Sequence, residues 1–401
     1  MNDPNLFAGP DPRAGGESLA DHQRRLGPLP PARPELVETI ERSGLLGRGG
    51  ASFPVGVKWR AVASRASSPA VVIANGAEGE PLSRKDQALL WARPHLVLDG
   101  ALLAADAVGA DRIVLYVGEA HEAAAASLAR AAGERPPAQR RHLEMVAAPA
   151  RYVAGEETAA VRFVDERLAA PRATPTRPYE RGFAGLPTLV QNVESLAHAA
   201  LVARWGDQWF RSLGRDGSPG TVLVTVGGAV RRPGVLEVAA GSTVGEALNE
   251  AGGLAAAPRA VLLGGYFGSW LDAGQAWTLR LDPQALRAAG LGLGCGVVWV
   301  LDSAASPVDE TARVVRYLAG ESAAQCGPCF FGLRALADAC TRLAARRAEP
   351  ADLERLQRWS SEVRGRGACR HPDGAAAFLQ SALRVFAHEF AVAVGAARWA
   401  A

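Results

Sequence analysis

A 401-residue chain with a net charge of only +3 at pH 7 lacks the concentrated positive field of a nucleic-acid binder. Its 48% hydrophobic and 21% charged residues are ordinary for a globular protein, and the length suits roughly two to four domains. No apolar run is long enough to cross a bilayer, and residues 1–16 lack the basic-then-apolar pattern of a signal peptide, so the expected location is the cytoplasm, free or on the face of a membrane complex.

Residues 1–33 read as a loose, Pro-rich arm, and an α/β domain is expected over 34–215. Pro34 to Ser43 is a short helix, with Leu36 and Ile40 four apart and Gly44 as its stop. The run Gly47-Arg48-Gly49-Gly50, continuing through Phe53 to Lys58 and Trp59, is glycine-rich and suits a backbone that a ligand approaches closely. Residues 70–74 form a buried strand that ends in a loop carrying Asn75, Glu78 and Glu80. A helix at 94–108 and a strand at 112–117 follow, and this alternation argues for α/β architecture. Tyr152 and Gly155 lead into a helix with Glu156 and Glu157 in its first turn, where the dipole favours acids. Residues 170–189 are irregular, and Gln191, Asn192 and Ser195 open a helix running to about Ala203.

Residues 216–305 have another texture. Strands at 221–226 and 235–238 flank a turn at Arg231–Gly234, and Thr243 with Glu246 forms a capping box for a helix that Gly252 and Gly253 end. This ββα order predicts a β-grasp-like, ubiquitin-like module, with weaker strands near 260–266 and 297–301. Residues 306–401 read as an all-α bundle with helices near 309–319, 329–346, 350–363 and 373–392.

Five cysteines on so long a chain do not form a disulfide framework. Cys326-Gly-Pro-Cys329 at a helix start, with Cys369 near a later turn, suits iron–sulfur or zinc ligation. A thioredoxin-type dithiol is the other reading of that tetrapeptide, but no strand precedes it. A run with one more cysteine three residues upstream would complete a four-thiol set, and Ala323 stands there. Cys295 and Cys340 are expected to be buried small side chains. Basic residues are nearly all Arg; Lys58 and Lys85 are the exceptions, and both fall in or near the glycine-rich segments. Arg48 and Lys58 offer cations, and backbone amides offer donors, for a phosphate. The acids Glu78 and Glu80 suit hydroxyls of a ribityl or ribose chain, or a carboxylate beside a reacting carbon.

Taken in order, these segments resemble the flavin-bearing subunit of respiratory complex I and its relatives in soluble hydrogenases and formate dehydrogenases. The matching pieces are Gly47–Pro54 through Lys58-Trp59, Asn75 with Glu78–Pro81, Lys85-Asp86, Tyr152 with Gly155–Thr158, Pro187-Thr188, Asn192–Glu194, Glu321-Ser322 and Gln325–Cys329, spread over roughly residues 40–392. The resemblance implies an FMN site built from Gly47, Arg48, Gly49, Gly50, Lys58, Asn75, Glu78, Tyr152, Gly155, Glu156, Gln191, Asn192 and Ser195. It implies Glu80 and Glu157 near the nicotinamide of NADH, with Phe53 and Arg177 on the substrate side. It also implies an iron–sulfur cluster on Cys326, Cys329 and Cys369, either [4Fe–4S] or incomplete because Ala323 is no ligand, and a thioredoxin-like [2Fe–2S] subunit or a ferredoxin as partner. The chain departs from the family at Ala77, which replaces an acid near the flavin, and at Gln191, which replaces an asparagine. Ala61, Thr174 and Arg177 stand where rings and a lysine grip the adenine end. The readings that follow are a flavin- and iron–sulfur-dependent oxidoreductase subunit with NADH or another reductant as donor, a non-catalytic docking or assembly paralogue, and a zinc-stabilised binding protein.

Overall fold

The computed structural model describes residues 5–11, 15–31, 33–65, 69–173 and 176–395. Its first sheet has four parallel strands, β1 (Ala70–Gly76), β2 (Ala110–Gly118), β3 (Leu143–Ala148) and β4 (Thr188–Asn192), in the order β3-β2-β1-β4. The register sets Asn75 directly beside Asn192, so the chain leaves β1 and β4 at one place on the carboxyl edge. Strand β1 is apolar along nearly its whole length because both faces are covered. Val72 and Ala74 pack toward helices Pro94–Val108 and Val193–Ser212, whereas Val71 and Ile73 pack toward helix Glu157–Glu166. Helices 94–108 and 193–212 approach so closely that a methyl on Gly100 would lie 2.0 Å from the Leu196 carbonyl oxygen. Only glycine permits this crossing, which fixes the direction in which both helices leave the sheet edge.

The second sheet runs β6-β5-β9-β7-β8, from β5 (Thr221–Gly228), β6 (Gly234–Ala239), β7 (Pro258–Leu263), β8 (Ser269–Asp272) and β9 (Val297–Asp302). All pairs are antiparallel except β5 with β9. One face packs on helix Val244–Glu250, whose Thr243–Glu246 capping box forms as its sequence predicts. The other face, through Leu262, Trp270 and Leu301, packs on the C-terminal helices Pro307–Gly320, Leu333–Ala344, Asp352–Val363, His371–Val385 and Ala387–Ala393. A π-turn at Pro328–Gly332 precedes the second of these, and the last predicted helix breaks at Phe386, a buried ring against Trp270. No single helix among the described residues is long and apolar enough to cross a membrane.

The N-terminal arm corrects the expectation that it is loose. Leu6 is fully buried, and the Leu6 and Phe7 amides donate to the Glu237 carboxylate on β6 at 3.0 and 3.1 Å. Arg93 donates to the carbonyls of Phe7, Ala8 and Pro10. Helix Leu19–Leu26 follows, and its His22 sits between Glu17 and Asp99, 2.8 Å from the latter. Asp99 also pairs with Arg135 and Arg204. Pro-rich composition signals a lack of regular structure, and here the irregular backbone is held by buried charged side chains instead.

The adjoining His95 imidazole makes this strap acid-sensitive. Burial first, then the Arg135 and His22 charges, depress its pKa from 6.5 to about 4. A depressed histidine contributes stability that is lost as pH falls from the unfolded value toward the folded one, at up to about 1.4 kcal/mol per pH unit. The urea midpoint is therefore expected to drop between pH 6.5 and 4. His95→Gln should flatten that segment of the profile, and an unchanged slope would contradict the assignment.

Candidate functional site

Four segments meet at the carboxyl edge of the parallel sheet, where ligands of open α/β sheets bind. They are the glycine loop 47–53, the loop after β1, the turn Tyr152–Gly155 and the start of helix 193–212. Asn75 donates from Nδ2 to the Gly155 carbonyl at 2.8 Å, and its Oδ1 accepts from the Ala77 amide. Asn192 caps helix 193–212 through the Glu194 amide and donates from Nδ2 to Asp86 at 2.7 Å. The Arg48 amide donates to Ser195 Oγ at 2.9 Å, which docks the glycine loop on that helix. Gly47 closes the loop through the Phe53 carbonyl, Gly49 lies against Asn192, and Gly50 bridges to Gly294 of the second sheet's loops. Gly49, Gly50, Asn75, Gly155, Gln191, Asn192 and Ser195 thus share one neighbourhood.

Three of the expected ligand groups are committed elsewhere. The Arg48 guanidinium turns inward, buried, to the Thr221 carbonyl at 2.9 Å and to Glu194 at 3.7 Å, so it joins the two sheets. The Glu78 carboxylate accepts from Ser83 Oγ and from the Asp86 and Gln87 amides, capping helix Lys85–Ala92. These bonds hold Glu78 at a φ of +41°, a strained setting for a residue that carries a Cβ. The Glu156 carboxylate caps its own helix through the Thr158 and Ala159 amides. The unpaired amides of a helix start draw such carboxylates in, which composition alone does not reveal.

Beneath the loops lies a buried charge cluster. Lys85 Nζ contacts Asp86 at 2.7 Å and Glu194 at 2.9 Å. Burial works against the Lys85 ammonium, but Asp86, Glu194 and Glu78 outweigh it and raise its pKa. Burial likewise opposes the Glu194 carboxylate, yet Lys85, His198 and Arg48 hold its pKa down to about 2. Asp86 is pushed upward by burial.

Glu80 and Glu157 occupy different settings. Glu80 is buried, accepting from the Tyr152 hydroxyl at 2.9 Å and the Tyr266 amide at 2.8 Å, and burial raises its pKa. Glu157 lies at the rim and pairs with Lys58 Nζ at 2.7 Å, both side chains partly exposed. Phe53 is exposed. Arg177 is exposed, with its amide bonded to Glu180; Thr174 lies outside the described residues.

Tyr152 ties this edge to the C-terminal helices, a link that sequence reading missed. Its amide donates to Glu321 at 2.8 Å, and its ring packs edge-on to Phe267, Tyr317 and His371. Glu321 is visible in the sequence only as part of a longer matching segment. Just beyond it, Cys329 lies near Cys326, Ser322 and Cys369, and Cys369 neighbours Cys326 and Glu156. Burial pushes the Cys329 thiol up to about 12. Cys340 is buried in the helical core as expected, whereas Cys295 is half-buried in the loop that meets Gly50.

The residues fit the two groups that the sequence implies. Gln191 Oε1, buried at the end of β4, lacks a hydrogen-bond partner, and an amide in that state fits a polar ligand such as a flavin or its phosphate chain. Three neighbouring thiols fit an iron–sulfur cluster by donor chemistry. Among the described residues no group of three or more His, Cys, Asp or Glu is drawn close enough to hold a single metal ion.

Comparison with known proteins gives this geometry a family. The model of the Nuo51 FMN-binding domain matches residues 40–200, and that of the NADH-ubiquinone oxidoreductase-F iron-sulfur binding region matches 309–393. An SLBB domain model matches 223–265. The second F subunit of the NADH-quinone oxidoreductase of Rhizobium meliloti (strain 1021) is 32% identical over 370 residues, covering 89% of this chain and 88% of that protein. The chain belongs to the F-subunit family of NADH-quinone oxidoreductases. The F subunit of Mycobacterium tuberculosis (strain ATCC 25618 / H37Rv) is 32% identical over 379 residues, covering 89% of this chain and 84% of its own. Among solved structures, an NAD+-reducing [NiFe]-hydrogenase in the H2-reduced state superposes with a TM-score of 0.83 at 31% identity. That match covers 90% of this chain and 63% of the hydrogenase chain, so the chain spans under two thirds of that relative. As a member of the F-subunit family the chain carries an FMN-binding domain and an iron–sulfur binding region.

Proposed function

We propose that this chain is an electron-entry subunit of the diaphorase type, taking electrons from NADH through FMN to an iron–sulfur cluster and on to a partner subunit. The observation that carries the reading is Tyr152, which joins Glu80 at the flavin edge to Glu321 at the foot of the cysteine loop. When bound, FMN supplies a carrier that accepts an electron pair and releases electrons singly, and the cluster accepts them one at a time.

The residue roles follow from their settings. The amides of Gly49 and Gly50, with Asn75, Gln191, Asn192 and Ser195, line the flavin side. Lys58 is the cation available to a phosphate, because its partly exposed pair with Glu157 is weak enough to exchange. Glu80, buried and bonded to Tyr152 and Tyr266, positions the two modules around the ring and presents a carboxyl of raised pKa. Cys326, Cys329 and Cys369 hold the cluster. Phe53 is the exposed ring placed for substrate contact, and Arg177 is the residue proposed to replace a lost stacking ring.

The boundaries 34–215, 216–305 and 306–401 are proposed as flavin, β-grasp-like and cluster-bearing units. The order β6-β5-β9-β7-β8, with an antiparallel hairpin first and a parallel β5–β9 pair at the centre, supports the β-grasp reading. The partner proposed is a thioredoxin-like [2Fe–2S] subunit or a ferredoxin, and the location proposed is the cytoplasm, within a complex.

Anaerobically purified protein is expected to be yellow with FMN, to show EPR-active iron on reduction, and to bleach with NADH. Bleaching by reduced ferredoxin but not by NADH would move the donor, as the losses at Ala61 and Arg177 allow. A flavin that neither donor bleaches would favour a docking paralogue. A colourless protein with stoichiometric zinc would replace the redox reading.

A further inference from the structure

We propose that Phe330 and Phe331, with the arginines around them, form the docking face for a diffusible, acidic one-electron carrier protein of the ferredoxin kind. This rests on the cluster reading above and decides between its two candidate partners.

The face grows out of the segments that carry the thiols. After Cys326 the chain enters the wide π-turn at Pro328–Gly332, and the Phe330 amide donates to the Cys326 carbonyl at 2.9 Å. Cys329 and Leu333 take the buried side of that turn, which leaves the two rings between them outward. Phe331 is 70% exposed and Phe330 40%, and the rings meet edge-on with centroids 4.9 Å apart. Gly332 packs on Val363, the last residue of helix Asp352–Val363; a methyl there would lie 2.4 Å from Val363 Cγ1. The loop to Cys369 therefore starts beside the rings, and it presents Arg364, Arg366 and Arg370 to solvent. Arg334 lies over the Phe330 ring at 4.4 Å, and with Arg316 it lines a cavity of about 330 Å³ that reaches Cys329.

Charge decides the occupant. Among the described residues Arg316, Arg334 and Arg366 form no ion pair, and Arg364 donates to the neutral Gln380 amide oxygen at 3.1 Å. Arg370 is paired with Asp373 and Arg358 with Glu362, and Asp338 is the acid that lines the cavity. Positive charge is in excess, and an acidic surface complements it. A permanent subunit interface is broad, with an apolar centre depleted in charge, whereas two rings inside a rim of arginines suit a small, transient contact. The unpaired arginines steer an acidic protein to the face, and the rings hold it and exclude water beside Cys329. In each encounter one electron passes between the carrier and the cluster. One is oxidised as the other is reduced, no bond forms or breaks, and no proton moves with the electron.

The test mixes the full chain, loaded anaerobically with FMN, iron and sulfide, with oxidised plant-type [2Fe–2S] ferredoxin as the probe. Calorimetry reads affinity, and stopped flow reads association. One-to-one binding is expected, weakening at least about tenfold between about 50 and 300 mM salt. Arg334→Glu with Arg366→Glu should slow association at least about tenfold. Phe331→Ser should weaken binding about tenfold through faster release, and it reports even if the charge-reversed variant misfolds. Iron and flavin counts in these variants should equal those of the wild type. A cluster-loaded wild type that does not bind ferredoxin, or binds it equally at both salts and in every variant, would overturn the docking face while leaving the cluster reading intact. Binding to phosphatidylserine vesicles in place of ferredoxin would overturn it in favour of a membrane surface. A dimer that Phe331→Ser splits would overturn it in favour of a second copy of the chain. Flavin-loaded wild type without iron or sulfide would sink both the docking face and the cluster.

Discussion

Replacing Glu194 with alanine is expected to lower stability by about 3–5 kcal/mol, the usual cost of removing one member of a buried ion cluster. Glu194 is 1% exposed and lies between two buried cations, 2.9 Å from Lys85 and 3.7 Å from Arg48. It also accepts from the Leu223 amide on β5 at 2.9 Å, so it bonds the flavin-domain helix to the second sheet. The alanine variant leaves Arg48 without its counter-charge, Lys85 with Asp86 alone, and one backbone donor unpaired in a dry interior. Chemical denaturation should show the loss at neutral pH. With its pKa held to about 2, the Glu194 carboxylate is ionised throughout the neutral range, and its contribution fades only as pH falls from the unfolded value of 4.5 toward 2. A single variant within about 0.5 kcal/mol of wild type would show that water reaches the cluster.

The second large effect is expected from Gly79→Ala, which should cut FMN retention at least tenfold and cost about 1–3 kcal/mol of stability. A methyl there would sit 2.7 Å from the Tyr152 carbonyl oxygen and 2.9 Å from that of Arg151. Both are backbone atoms, so the loop after β1 and the turn at 152–155 must separate. Separation displaces Glu80 from Tyr152 and, through the Tyr152 amide, disturbs Glu321. Flavin fluorescence after gel filtration reads the effect. Retention equal to wild type would mean that the two loops do not act as one site.

Much of the architecture is legible in the sequence because local signals and burial agree. The apolar run of β1, the Thr243–Glu246 box and the helix at 94–108 lie where composition and capping place them. Strands β3 and β8 and helices 55–63, 85–92 and 122–134 escape the sequence reading. β3 is an edge strand with mixed residues, and helix 85–92 starts on a cap borrowed from Glu78 across the loop. Neither has the periodicity that such reading relies on.

The candidate site divides in the same way. Which segments gather is written in local chemistry, because glycine spacing, strand ends and helix starts are features of neighbouring residues. So are the identity of the available thiols and the lack of one at position 323. How the charged groups are used is a matter of packing in three dimensions. Arg48, Glu78 and Glu156 have the right chemistry for a ligand, yet packing turns Arg48 to Thr221 and Glu194, and the two glutamates accept from hydroxyls and helix amides. The same packing sets Tyr152 between Glu80 and Glu321. These pairings join residues far apart in the chain, so no local pattern encodes them.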